Sequence, residues 1–143
     1  MTSTVVDASV AVKWCLPLAD EDFVLQAQEL LASYRSGEEK FLVPDLFWPE
    51  LANALWKAVR KQRIDRVRAE RSLSLVRDLE MSTISSFDLV PETLQLAIKH
   101  DRTAYDSLYV VLALQTKSTL ITADERLANA LAAYLPVKWL GAI

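Results

Sequence analysis

Apolar positions along the chain follow two different periods. Short β-branched or apolar runs at Ser3–Val6, Lys40–Pro44, Met81–Phe87, Thr119–Thr122 and Val137–Leu140 read as buried strands. Between them the spacing becomes helical. Phe23, Ala27, Leu30, Leu31 and Tyr34 recur at i, i+4, i+7, i+8 and i+11, and Leu51, Ala54, Leu55, Ala58 and Val59 mark one face of a second helix. Asp65 reads as the N-cap of another, with Ala69, Leu73, Val76 and Leu79 on one side, so this region predicts a helical hairpin. Ser9 is an N-cap candidate for a helix stopped by Pro17, Leu18–Asp22 is a polar connection, and Ser36–Gly37 is a C-cap signal. Pro49 and Pro91 suit first helical turns, and Leu127, Leu131, Tyr134 and Leu135 line a last helix. Five short strands alternating with helices predict an α/β fold: a parallel sheet covered on both faces, with residues 1–143 as one domain.

Every residue from Leu108 to Leu114 is apolar, which predicts a helix buried all round. Yet Asp106 stands in its first turn, and Asp124 follows the strand Thr119–Thr122. Asp7 ends the first strand, and Glu50 opens the helix of the Leu51 stripe. Unpaired buried charge is costly, so either caps and ion pairs satisfy these acids or a metal does. Thr103 and Asp106 resemble a capping box, and Thr122 with Glu125 matches one fully. Acids also suit helix starts through the dipole, so each alone has a structural explanation. Asp7 fits that explanation least, because it directly follows a buried strand. In parallel sheets ligands sit beyond the carboxyl ends of strands, where four converging carboxylates could not all stay ionised without a cation. Oxygen donors with no His or Cys favour Mg²⁺ or Mn²⁺, which activates water and stabilises charge on a phosphodiester.

Composition narrows the chemistry. The chain has 2 Gly, with no phosphate-binding Gly loop, and one cysteine, Cys15, which reads as a small buried apolar residue. The one histidine, His100, reads as a helix end. No apolar run is long enough to span a bilayer and no leader precedes the first strand, so a soluble cytoplasmic protein is expected. Net charge is −3, but setting four site acids aside leaves +1. Positive charge is densest from Lys57 to Arg71, where Lys57, Arg60, Lys61 and Arg63 are candidates for nucleic-acid phosphates; a solvated face meeting a protein partner is the alternative. Trp14, Trp48, Trp56 and Trp139 read mainly as core or interface, with Trp48, beside Glu50, the candidate for a partner or a base.

Four stretches, Val5–Val10, Pro49–Leu55, Thr103–Ala113 and Leu120–Leu127, together resemble the PIN-domain nucleases, and among them the VapC-type toxins of toxin–antitoxin pairs. The resemblance implies a three-layer fold with a five-stranded parallel sheet in the order 3-2-1-4-5. It implies a metal-dependent endoribonuclease in which Asp7, Glu50, Asp106 and Asp124 form an acidic quartet, with Ser9 and Thr122 as supporting polar groups. It also implies a homodimer and a small antitoxin that covers the acidic pocket. Asp101 is an extra nearby acid. The rival reading is a receiver-like signalling domain with Asp88 as phosphoacceptor, Thr122 as switch hydroxyl and Lys138 as its lysine. Against it, the first strand ends in one acid rather than a pair, and two long helices separate strands two and three.

Overall fold

The computed structural model describes residues 2–17, 19 and 21–143. Strands β1 (Thr2–Val6), β2 (Glu39–Pro44), β3 (Ser82–Ile84), β4 (Thr119–Thr122) and β5 (Val137–Trp139) form one parallel sheet in the order β3-β2-β1-β4-β5. Val5 pairs with Leu42 on one side and Leu120 on the other, so β1 is central. The chain leaves β1 toward β2 and β3, then crosses back to β4. The switch of direction therefore lies between β1 and β4, where ligand crevices form in such sheets.

Alternating strand positions feed two apolar cores. Val6, Phe41, Val43 and Ile121 face α1 (Ala8–Cys15), α2 (Val24–Arg35), α3 (Phe47–Arg60) and α4 (Arg66–Arg77). Val5, Leu42, Leu120 and Val137 face α5 (Val90–His100), α6 (Ala104–Thr116) and α7 (Glu125–Leu131). Helix α6 is buried from Ser107 to Ala113, as its unbroken apolar run requires. Each fully buried aliphatic side chain contributes about 1.5–3 kcal/mol, so this segment anchors the acids beside it.

Several local expectations shift. Helix α1 begins at Ala8 with Asp7 in the N-cap position, so Ser9 lies inside the first turn and is not the cap. The third strand is only Ser82–Ile84; Phe87–Leu89 forms a short 3-10 turn, and Phe87 is exposed. The Thr122 capping box does not form, because α7 starts after Asp124 and Thr122 is buried at the strand end. Asp65 caps α4 as its sequence suggests, accepting the Arg68 N–H at 2.8 Å. Gly37 closes α2 at φ +84, with Gly37 N–H donating to Tyr34 and Glu38 N–H to Ser33, a left-handed turn that glycine makes without strain. The Leu18–Asp22 connection lies partly outside the described residues.

Candidate active site

Asp7 leaves β1 with its N–H still donating to Ile121 O at 3.1 Å, which fixes it between the carboxyl ends of β1 and β4. Its Oδ2 accepts from Ser9 Oγ at 2.9 Å and from Thr122 Oγ1 at 2.7 Å. Those hydroxyls are themselves held: Ala123 N–H donates to Ser9 Oγ at 3.0 Å, and Asp124 N–H donates to Thr122 Oγ1 at 3.0 Å. Ser9 misses the cap because its hydroxyl is needed here, tying α1 to the turn after β4.

Glu50 enters from the first turn of α3. Its Oε1 accepts from the Tyr109 hydroxyl at 2.6 Å, a short bond to a charged acceptor. Tyr109 is 2% exposed and comes from α6, so the sequence-distant Glu50 is held by the most buried helix of the fold. Asp106, also on α6, receives Arg102 at 3.4 Å on Oδ2. Its own N–H is capped by Thr103 Oγ1 at 3.1 Å, so the forward half of that capping box forms. Asp124 is exposed and caps α7, taking the N–H groups of Arg126 and Leu127 on Oδ1.

Asp7, Glu50 and Asp106 feel one another. Burial raises the Asp7 pKa; the Thr122 and Ser9 hydroxyls and the Ser9 backbone oppose that, and the charge of Asp106 adds to it. Glu50 is raised by burial too, lowered by Tyr109, then raised by the charges of Asp7 and Asp106. The Tyr109 hydroxyl is pushed far above its usual range by burial, the Asp7 charge and Glu50, so it stays protonated and donates. Asp124 joins this group only through Thr122. Asp101 makes no side-chain hydrogen bond to it among the described residues; it ends α5 in a left-handed conformation at φ 51. Among the described residues no three acidic, His or Cys side chains stand within ligation distance of one point. Each carboxylate is instead turned to its own hydrogen-bond partners: Asp7 to Ser9 and Thr122, Glu50 to Tyr109, Asp106 to Arg102, and Asp124 to the start of α7.

The donor set nonetheless fits a hard cation. Glu50, Asp106 and Asp124 each commit one oxygen; Glu50 Oε2, Asp106 Oδ1 and Asp124 Oδ2 meet no hydrogen-bond donor among the described residues. Oxygen atoms at several like-charged carboxylates are what Mg²⁺ or Mn²⁺ would take. Tyr109 and Arg102 escaped the sequence reading. Tyr109 was hidden inside an apolar run whose period says only that it is buried, and Arg102 lay outside the helix, its i, i+4 relation to Asp106 being the available signal.

The basic residues divide. Arg63 donates to Glu21 at 2.8 Å, and the buried Lys13 donates to the same carboxylate at 2.9 Å, so Arg63 belongs to a structural ion cluster. Lys57, Arg60 and Lys61 line an exposed hollow of about 360 Å³ with Trp56. Trp56 is 53% exposed, and the Arg60 guanidinium lies 5.3 Å from its ring centre. Trp48, by contrast, packs edge-on against Phe47 and donates to Thr83 Oγ1 at 3.0 Å, so Trp56 is the more open of the two indoles. Cys15 is buried, and burial pushes its thiol to about 11, consistent with a packing role.

The PIN domain family profile matches residues 4–131. The chain belongs to the PIN-domain family. This PIN domain is 30% identical over 127 residues to Ribonuclease VapC3 of Pyrobaculum aerophilum, covering 87% of the chain and 92% of that protein. It is 30% identical over 115 residues to Ribonuclease VapC9 of Mycobacterium tuberculosis, covering 78% and 83%. These relatives place it in the VapC-type branch. In architecture it matches the crystal structure of PAE2754 from Pyrobaculum aerophilum, with a TM-score of 0.72 at 23% identity over 99% of the chain and 85% of that protein. VapBC2 from Rickettsia felis follows at 0.65 and 13%, covering 96% and 98%. The sheet order of this PIN domain is the one its motifs imply, and two helices between β2 and β3 depart from a receiver-like alternation.

Proposed function

We propose that the protein is an endoribonuclease dependent on Mg²⁺ or Mn²⁺, the toxin of a toxin–antitoxin pair, and a single domain. Asp7, Glu50, Asp106 and Asp124 would hold the cation, and Ser9 and Thr122 would orient Asp7. The observation that carries this reading is three mutually repelling carboxylates, Asp7, Glu50 and Asp106, two of them with raised pKa values, at the switch point of the sheet, with one oxygen each of Glu50 and Asp106 meeting no donor among the described residues. When bound, the ion supplies Lewis acidity toward water and phosphate. The chain's residues do the positioning. The Ser9 and Thr122 hydroxyls keep Asp7 in one rotamer, Tyr109 keeps one oxygen of Glu50 occupied, and the buried run of α6 keeps Asp106 from moving away. Lys57, Arg60 and Lys61, beside the exposed Trp56, offer charge and a stacking surface to a single strand.

Ribonuclease activity is supported by the named activity of the VapC relatives. The antitoxin and homodimer follow from the resemblance. The surface suits a protein that assembles: Phe87, Val90, Leu94, Ile98 and Tyr105 are all exposed, with Val90, Leu94 and Ile98 at four-residue spacing along one face of α5. No helix among the described residues is long and apolar enough to cross a membrane. The test is cleavage of tRNA, rRNA and mRNA with and without Mg²⁺, with Asp106→Asn as control. Cleavage should require the ion and fall at least about a hundredfold in the variant at unchanged circular dichroism. Near-normal cleavage by Asp106→Asn would overturn the site.

A further inference from the structure

We propose that Arg102 is a resident counter-cation of the acidic site: it holds Asp106 until a divalent ion takes that carboxylate, and it then binds a phosphate of the RNA. The inference rests on the metal-dependent nuclease reading above.

The backbone around Arg102 is fixed on both sides. Asp101 turns the chain through the left-handed region, and Arg102 N–H closes α5 on Ala97 O at 3.2 Å. Thr103 then caps α6. This pins Arg102 one helical turn before Asp106 and aims its side chain along the acidic edge. The contact it makes is incomplete. One terminal nitrogen reaches Asp106 Oδ2 at 3.4 Å, well beyond the 2.7–2.9 Å of a strong guanidinium–carboxylate bond. Its Nε is buried and has no hydrogen-bond partner among the described residues. A guanidinium carries five donors in a rigid fork, so most of its capacity is unspent although the group is only 25% exposed.

That combination suits exchange. The single long contact relieves part of the repulsion around Asp106 in the metal-free protein, yet a partly exposed pair held this loosely is inexpensive to break. A divalent ion held by Asp106 Oδ1 would carry twice the charge of the guanidinium and draw the carboxylate toward itself at about 2.0–2.2 Å, so it would compete with Arg102 for Asp106 and loosen the 3.4 Å contact. Arg102 then stands at the edge of a site whose substrate is a phosphodiester. Its planar fork matches two phosphate oxygens, and its buried Nε gains the partner it lacks. Arg102 thus opposes the metal and favours the substrate, two effects of opposite sign from one side chain.

The experiment uses the full chain as wild type, Arg102→Gln and Arg102→Lys. Calorimetric titration with Mn²⁺ alone should give about threefold to fivefold tighter binding in Arg102→Gln, the worth of one partly exposed ion pair. Arg102→Lys, which keeps the charge, should stay near wild type. In cleavage assays Arg102→Gln should need less Mg²⁺ for half-maximal rate while its KM for RNA rises by a similar factor. General destabilisation would weaken both, so the opposite signs identify the role. Equal or weaker Mn²⁺ binding in Arg102→Gln, with wild-type binding lost in Asp7→Asn, would overturn the Arg102 assignment alone. Tighter Mn²⁺ binding with unchanged KM would overturn the phosphate contact. No Mn²⁺ binding by the wild type would overturn both this proposal and the metal-dependent reading beneath it.

Discussion

Tyr109→Phe isolates one hydrogen bond at the centre of the site. The ring is 2% exposed and packs in the core with Val110 and Leu112, so phenylalanine retains that packing and only the hydroxyl is lost. The hydroxyl donates to Glu50 Oε1 at 2.6 Å. Hydrogen bonds to charged groups contribute roughly 1.5–3 kcal/mol. Glu50 is half-buried, so water recovers part of the loss and the cost falls to or just below the lower limit of that range, about 1–1.5 kcal/mol. For a chain of 143 residues that is a fall in Tm of about 3–5 °C in the metal-free protein. Function should change more than stability. Without Tyr109, Glu50 samples several rotamers and must be ordered when the ion binds, so Mn²⁺ affinity should drop by about tenfold, the usual scale for a lost outer-shell partner. The pH profile adds a sign. Tyr109 lowers the Glu50 pKa against burial and two like charges, so its removal raises that pKa further. The acid limb of kcat/KM should move to higher pH. Differential scanning fluorimetry, Mn²⁺ titration and pH–rate profiles measure the three effects. An unchanged acid limb with wild-type Mn²⁺ affinity would refute the positioning role, whatever the melt shows.

Two further outcomes follow from the charges. Asp7 and Glu50 are both raised, from 3.8 and 4.5, so the native state binds protons more tightly than the unfolded chain. Their contribution to stability is therefore largest in acid and is lost as pH rises through the raised values. Thermal melts without metal should show that decline from about pH 4 upward, and saturating Mg²⁺ should reverse it, because the ion binds the ionised carboxylates; a slope unaffected by Mg²⁺ would contradict the site. Asp124 separates capping from ligation: Asp124→Asn keeps an acceptor for Arg126 and Leu127, while Asp124→Ala loses about 1 kcal/mol of cap. Loss of cleavage in Asp124→Asn at unchanged Tm would assign the carboxylate to the metal; full cleavage would leave it a cap.

The fold was legible because its signals are local and redundant. Thr119–Thr122 is β-branched and bounded by turns, and the unbroken run from Leu108 reads only as buried helix. Asp7, Glu50 and Asp106 were legible as neighbours, since strand ends and helix starts in a parallel sheet converge on one edge, while Asp124 is exposed, caps α7 and meets them only through Thr122. Their partners were not. Whether Ser9 caps α1 or serves Asp7 depends on the Ala123 amide more than a hundred residues away. Arg63 looked like its basic neighbours until Glu21, which lies before α2, claimed it. Trp48, beside Glu50, looked like the indole open to a partner or a base, and only the position of β3 decides that Thr83 occupies it and that Trp56 is the open one. Period and composition specify faces; which atom meets which across the fold is decided by tertiary packing.

The net charge of −3 now has a spatial meaning. Helix α3 carries Glu50 in its first turn and Lys57, Arg60 and Lys61 at its last, about 10–16 Å apart at 1.5 Å per residue. One rigid element thus separates an acidic end, hostile to phosphate, from a basic end that attracts it. A polyanion approaching this surface is drawn to the basic end by field alone and repelled from the acidic end until a cation reverses the sign there. Under the proposed function the same carboxylates would make cleavage conditional: a polyanion drawn to the basic end of α3 would settle among Asp7, Glu50 and Asp106 only once a cation neutralises their charge. An apolar or neutral site with the same basic patch would lack that condition, which is the physical reason to gather like charges beside a core that α6 keeps from relaxing.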